Sequence, residues 1–162
     1  MSATSEAVIR LLNSADAVVF RDLRLGGLQE SPQAFSASFE QESQMPPSEI
    51  AERLAPDPEW SWVLGAFDET NELVGIVRFR RERGAKLRHK AMLWGFYVAK
   101  SHRGQGIGRR LLQDFIGRAR QIPDLLQIKL SVMVTQSTAT ELYRRFNFVK
   151  CGHEPRALQI EG

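Results

Sequence analysis

The sequence predicts an α/β chain: one mixed, mostly antiparallel twisted sheet with helices on both faces. Three observations predict it. "WSWVLGAF" (60–67) and "ELVGIVRFR" (72–80) are strand patterns separated only by "DETN" (68–71), so they pair as an antiparallel hairpin. The next strand, "AMLWGFYVA" (91–99), is almost wholly apolar and belongs in the middle of a sheet, covered on both faces. Beyond it, Ile107, Leu111, Leu112, Phe115, Ile116 and Ala119 keep helical spacing before "LLQIKLSVMV" (125–134) returns as a strand, which makes a β-α-β unit. At 162 residues, with 43% hydrophobic and 25% charged residues, the chain suits one domain over 1–162.

The remaining elements follow in order. "AVIRLL" (7–12) reads as a first strand, with Ser14 or Asp16 able to cap the helix after it. Ala17, Val18, Phe20, Leu23, Leu25 and Leu28 give that helix apolar faces, and Gly26-Gly27 weakens its end. Residues 30–47 are polar and turn-rich, anchored by Phe35 and Phe39. "PSEIAERLA" (47–55) is a short helix that Pro47 can start. Gly84 is the pivot of the turn at 81–90, and Gly95 inside the apolar strand marks a bulge or a close backbone approach. Pro123 ends the helix before it. "TATELYRRF" (138–146) is a last helix, with Thr138 and Glu141 as a capping box and Asn147 at a left-handed C-terminal position. Residues 148–160 read as a final extended segment.

Charge is unevenly spread. Net charge is +3, but carboxylates dominate from Gln29 to Glu72 and bases from Arg78 to Arg120. Solvated faces of opposite sign would account for much of this. The acidic part also suits a cationic partner and the basic part an anionic one. No apolar run approaches the ~20 residues of a membrane span. The N-terminus lacks an export-signal pattern, and the lone Cys151 has no partner for an internal disulfide; both fit a reducing cytoplasm. No Cys/His spacing suggests a metal.

The chemistry-bearing stretch is "HRGQGIGRRLL" (102–112), glycines at alternate positions at the mouth of a helix. Backbone N–H groups are free there and the helix dipole is positive, so the loop is suited to phosphate. It lacks the nucleotide-loop pattern, and Arg109 stands where the dinucleotide pattern needs its third glycine. A glycine loop that merely turns the chain is the plain alternative.

The motif that fits is R-x-x-G-x-G. "WGFYVAKSHRGQGIGRRLL" resembles the acetyl-CoA loop of the GNAT N-acetyltransferase superfamily, and "ATELYRRFNFVKCG" (139–152) is similar to its second block. The resemblance spans about 150 residues of the chain. It implies acetyl-CoA as cosubstrate, with Phe96 and Val98 offering backbone groups to the pantetheine arm. It implies pyrophosphate binding by the amides of Arg103, Gly104, Gln105, Gly106, Ile107, Gly108 and Arg109, and leaves Lys100, Arg109 and Arg110 as candidates for the outer phosphate. The resemblance makes Tyr143 the general acid for the leaving thiolate: with an ordinary pKa near 10 its hydroxyl is protonated at neutral pH and can donate a proton or a hydrogen bond; packing in the Ala139/Leu142/Phe146 stripe is the alternative role.

Three positions depart from the family pattern. Gln136 stands where an Asn that bonds the pantetheine or a bound water is common, and its longer amide is the cofactor-binding candidate there; Asn147 replaces the glycine before Phe148, and Met92 replaces a Glu base used by some members. Proton removal then falls to His89, Glu30 or water. The family's last strand is missing after "EG" (161–162), so an unpaired sheet edge and a possible homodimer or strand exchange are expected. The expected activity is N-acetylation of a primary amine in a ternary complex. The acidic residues 29–72, with Glu30 and Phe35, would serve a cationic acceptor. A non-catalytic acyl-CoA-binding module is the alternative. Nucleic-acid binding is disfavoured because the basic region has little interleaved aromatic character.

Overall fold

A computed structural model describes residues 6–160. β1 (Val8–Leu11) leads into a single 3₁₀ turn, Ser14–Asp16, and then α1 (Ala17–Glu30). Asn13 provides the side-chain cap, at the start of the 3₁₀ turn, while Asp16 holds the N-cap position of α1 without a side-chain bond to it. The Asn13 side chain accepts from the Ala15 N–H at 2.9 Å, and Asp16 returns a carboxylate oxygen to the Asn13 N–H at 2.9 Å. Asp16 is held in place by Arg10, which lies 2.7 Å away and keeps the carboxyl below its usual range. α1 runs through Gly26-Gly27 without breaking. Gly27 has a packing reason: a Cβ there would sit 3.2 Å from the ring of Tyr97.

The polar segment contains a short helix that its composition does not announce, α2 (Phe39–Ser43), capped by Ser38. α3 (Pro47–Leu54) begins at Pro47 and buries Ile50 and Leu54, as their spacing predicts. β2 (Ser61–Phe67), β3 (Leu73–Arg81) and β4 (Lys90–Val98) form the antiparallel meander. α4 (Ile107–Ala119) then crosses to β5 (Gln127–Lys129), which pairs parallel to β4. α5 (Ser137–Arg145) is the last helix. The sheet is mixed and open, in the order β1-β2-β3-β4-β5.

The two faces carry separate cores, as a sheet with helices on both sides requires. One packs α4 and α5 against Trp62, Phe79, Ala91 and Leu93; the other packs α1 and α3 against Val63, Phe67 and Ile76. Trp62 stacks on Phe79 at 4.6 Å, and Phe115 of α4 tilts onto both rings.

Four expectations are corrected. The strand expected over 125–134 pairs only at Gln127–Lys129, because β4 bends away just beyond. β4 is therefore not buried along its length: Ala91 and Leu93 are, while Trp94–Val98 are half-exposed. Thr138 does not cap α5, since Gln136 occupies the cap position with no side-chain bond, and the Thr140 hydroxyl donates back to the Gln136 carbonyl at 2.9 Å. Residues 148–160 form no strand, so β5 has no outer neighbour among the described residues. The expected turn at 161–162 lies outside the described residues. Asn147 does adopt the left-handed conformation, at φ 63°.

Phe115 is fully buried, packed at a tilt against the stacked rings of Trp62 and Phe79. Phe115→Ala is expected to cost about 3–5 kcal/mol, seen as a lower urea midpoint with an unchanged slope.

Candidate active site

Everything in the site follows from one irregularity in β4. Arg78 pairs with Trp94 and Ile76 with Tyr97, so β4 holds an extra residue against β3. Gly95 takes the strain at φ +59°. A bulge bends its strand and increases the twist. Pairing with β5 accordingly stops at Met92–Lys129, and the edge of β4 from Leu93 to Val98 faces a gap. The sheet forks there, and one wall of the fork is a strand edge with unused backbone groups.

The glycine loop stands at the open end of the fork. Lys100–His102 form a 3₁₀ turn, and α4 begins at Ile107 with Gly106 as its N-cap. Gly104 and Gly106 have φ +77° and +81°, conformations that L residues rarely adopt, although a Cβ at either would meet nothing within 4 Å. Gly108 is needed for a different reason. A Cβ there would lie 3.3 Å from the Phe96 ring, so this glycine brings α4 close to β4. The first backbone bond of α4 is Arg110 N–H to the Gly106 carbonyl at 3.1 Å. Among the described residues, the N–H groups from Gly104 to Arg109 have no protein acceptor. That row of donors, at the positive end of a long helix, is an anion cradle.

The Arg103 side chain is not free for that anion. Its guanidinium lies 2.8 Å from Glu30 and 2.9 Å from the Val98 carbonyl, over the Tyr97 ring. Its N–H bonds the Lys100 carbonyl at 3.4 Å. Glu30 also accepts the Tyr97 hydroxyl, and that bond with the Arg103 charge holds its carboxyl below the ordinary 4.5. Burial and Glu30 push the Tyr97 phenol up to about 12. Arg103, Glu30 and Tyr97 thus form a clamp that ties the end of α1 to the loop. Glu30 is committed to that clamp and is a weak base. Phe35 is buried against Tyr97, at 5.9 Å, and lies under the Arg24 guanidinium at 4.7 Å. Arg109 is exposed, and Arg110 lies 3.5 Å from Glu6.

Tyr143 projects from α5 toward the fork. Its ring is buried between Phe96, at 6.0 Å, and Phe148, at 5.8 Å. Burial raises its phenol well above the ordinary range, and none of the described residues hydrogen-bonds its hydroxyl. Core packing and an available hydroxyl thus coexist in one side chain. Gln136 caps the same helix, half-buried. His89 is elsewhere. It precedes the paired register, its carbonyl receiving Leu126 and Gln127 N–H groups, and the strand from His89 to Phe96 runs about 23 Å at ~3.3 Å per residue. The closed end of the fork separates it from Tyr143, so His89 is not positioned as the base.

The opposite face of the bulge carries residues that sequence reasoning passed over. Two small adjoining cavities lie between α1, α2, α3 and the β3–β4 pair. One, of about 30 Å³, is lined by Arg21, Arg24, Glu42, Arg53 and Arg78 with apolar neighbours. The other, of about 10 Å³, reaches Trp94 and Gly95 and shares Arg24 and Arg78. Among the described residues, several carboxylates of the acidic stretch 29–72 are engaged within the chain. Glu42 is spent on a bidentate pair with buried Arg24, Glu49 pairs with Arg53, and Asp68 faces His102. The basic region likewise divides: Arg81, Arg83 and Arg88 gather around Trp60 at the far end of β3, away from the glycine loop. The signal for the missed residues was present. Arg24 sits four residues from both Phe20 and Leu28 on a buried helix face, and Arg78 follows Ile76 on one face of a strand.

The comparisons with known proteins decide the family. The model of the acetyltransferase (GNAT) family matches residues 28–148, which include the fork, the glycine loop and Tyr143. The chain belongs to the GNAT acetyltransferase family. Acyl transfer is the reaction class that this membership carries. A GNAT-family acetyltransferase from Streptococcus pneumoniae superposes with a TM-score of 0.84 at 24% identity, covering 96% of this chain and 92% of that one. A GCN5-related N-acetyltransferase from Kribbella flavida gives 0.76 at 22%, covering 94% and 88%. A ribosomal-protein-alanine N-acetyltransferase from Brucella melitensis gives 0.64 at 23%, covering 96% and 99%. These likenesses establish the fold. No curated protein sequence matches the chain significantly.

The clamp makes a pH prediction. Glu30 has a lowered folded pKa, so its contribution is full above 4.5 and is lost as pH falls through the depressed value. The stability gap between the wild type and Glu30→Gln is expected to be constant above about pH 5.5 and to close in acid. Chemical denaturation across pH measures it.

Proposed function

We propose that this GNAT chain transfers an acetyl group from acetyl-CoA to a primary amine by direct attack in a ternary complex. The observation that carries the reading is the row of unpaired N–H groups from Gly104 to Arg109 beside a forked sheet edge. The fit to the cosubstrate is good: the row is a cradle for a pyrophosphate, and the free edge of β4 at Phe96 accepts a strand-like amide arm. Val98 contributes less than expected, because its carbonyl already receives Arg103. Lys100 and Arg109 are exposed and able to meet the outer phosphate, whereas the Arg103 side chain shapes the loop.

The residues then divide the chemistry. The bulge at Gly95 sets the reacting carbonyl at the meeting of the two faces. The amine nitrogen attacks the thioester carbon, a C–N bond forms and the C–S bond breaks. Sulfur leaves with the electron pair, and the Tyr143 hydroxyl supplies its proton. With Met92 in place of a carboxylate and Glu30 and His89 unsuited as bases, water accepts the amine's proton. Positioning supplies most of the rate.

Tyr143→Phe is expected to lower kcat by about 100-fold while leaving the acetyl-CoA Kd unchanged. Thiol release and isothermal titration measure the two. Equal loss of binding would mean that Tyr143 only packs. Gly106→Val, forced out of its left-handed conformation, is expected to weaken acetyl-CoA binding by about tenfold or more. Undiminished binding would remove the loop from the reading.

A further inference from the structure

The buried polar atoms without partners are concentrated in one place. Among the described residues they are Arg21 Nε, Arg78 Nε and Trp94 Nε1, and all three residues line the paired cavities below the bulge. All three atoms are donors. A buried donor without an acceptor costs free energy, and an unpaired buried charge costs more. Arg21 lines the larger cavity, Trp94 the smaller and Arg78 both, so the three donors border an adjoining pair of spaces and suit a ligand that only accepts hydrogen bonds.

The charge balance agrees. Arg21, Arg24, Arg53 and Arg78 line the larger cavity against a single carboxylate, Glu42, which is committed to Arg24. Arg53 has Glu49 on its own helix, and Arg21 donates Nη2 to the Ser43 carbonyl at 2.7 Å. Arg78 has no carboxylate. It lies over the Trp94 ring at 4.6 Å, and burial among Arg53, Arg24 and Arg80 lowers its pKa to about 10. A cavity of about 30 Å³ exceeds the ~10–15 Å³ one water needs and admits a small planar anion. A guanidinium matches a carboxylate in a planar fork.

The location gives the site its role. The second cavity ends on Gly95, the residue whose bulge opens the fork on the other face, and a Cβ there would come 3.3 Å from Arg24 Nη1. Building on the acetyltransferase reading, we infer that the acceptor is an amine bearing a carboxylate, with the carboxylate seated between Arg21 and Arg78 in the larger cavity and the amine presented past Trp94 at the Gly95 bulge. Arg78 and Arg21 are then specificity-determining residues, and the carboxylate is unchanged by the reaction.

The test uses amino acids and ω-amino acids, each paired with its own carboxamide, and spermidine, with thiol release from acetyl-CoA as readout. The carboxylate form is expected to be favoured by about tenfold or more in kcat/KM. Arg78→Met and Arg21→Met should each raise KM for that acceptor by about tenfold with the acetyl-CoA Kd unchanged. Carboxamides or spermidine turned over as well as the acids would overturn the assignment. A binding arm stands apart from catalysis: N-acetylated acids should raise the thermal midpoint of the wild type above their carboxamides, and Arg21→Met should abolish the difference. No difference in the wild type would sink the anion site even with acetyl-CoA bound. Failure to bind acetyl-CoA, with the N-acetyl acids still discriminated, would instead remove the acetyltransferase reading and leave the anion site standing.

Discussion

The site depends on one extra residue in one strand. Without the Gly95 bulge, β4 would stay paired to β5 beyond Met92, and the sheet would close over the space in which acyl transfer needs a strand edge. The same residue acts on the opposite face. Its missing side chain admits the Arg24 guanidinium, and the kink beside it leaves Trp94 across from Arg78. A single left-handed residue thus creates a cleft on one side of the sheet and a cationic recess on the other, back to back. In the reaction proposed above, two substrates would meet at this point from opposite faces, a geometry that a regular strand with alternating side chains does not provide.

The arginines show how local surroundings assign different work to one side chain. Arg103 is bound to a carboxylate, a carbonyl and a ring, and sets the shape of the loop. Arg24 is buried and neutralised by Glu42. Arg81, also buried, donates to backbone carbonyls of Arg88 and Pro123 and fixes a turn. Only Arg78 combines burial with a donor that lacks a partner and a position beside the bulge. Net charge along the chain cannot separate these cases, because each depends on what lies opposite after folding. The acidic residues 29–72 behave in the same way. Several of them neutralise arginines of this chain, and the recess they border is positive.

Legibility followed the range of the physics. The meander, the β-α-β unit, the helix over 107–119 and the left-handed Asn147 were legible because side-chain period and backbone preference act within a few residues. The glycine loop was legible for the same reason. The short extent of β5, the absent strand over 148–160 and the cap of α5 were not, because strand pairing depends on where the partner strand bends. His89 lies at the paired end of β4, seven residues from Phe96, and Glu30 is paired with Arg103 and Tyr97. Neither pairing exists in one dimension.

By itself the sequence determined the element order, the two apolar faces, the glycine loop at a helix mouth and the family resemblance, all consequences of local spacing and of glycine's freedom at positive φ. Tertiary structure alone decided which charges cancel. It placed Glu42 on Arg24, Glu30 on Arg103, and, among the described residues, no carboxylate on Arg78. The reason is that burial removes water from a charge and leaves its fate to the nearest group of opposite sign, which chain separation does not predict.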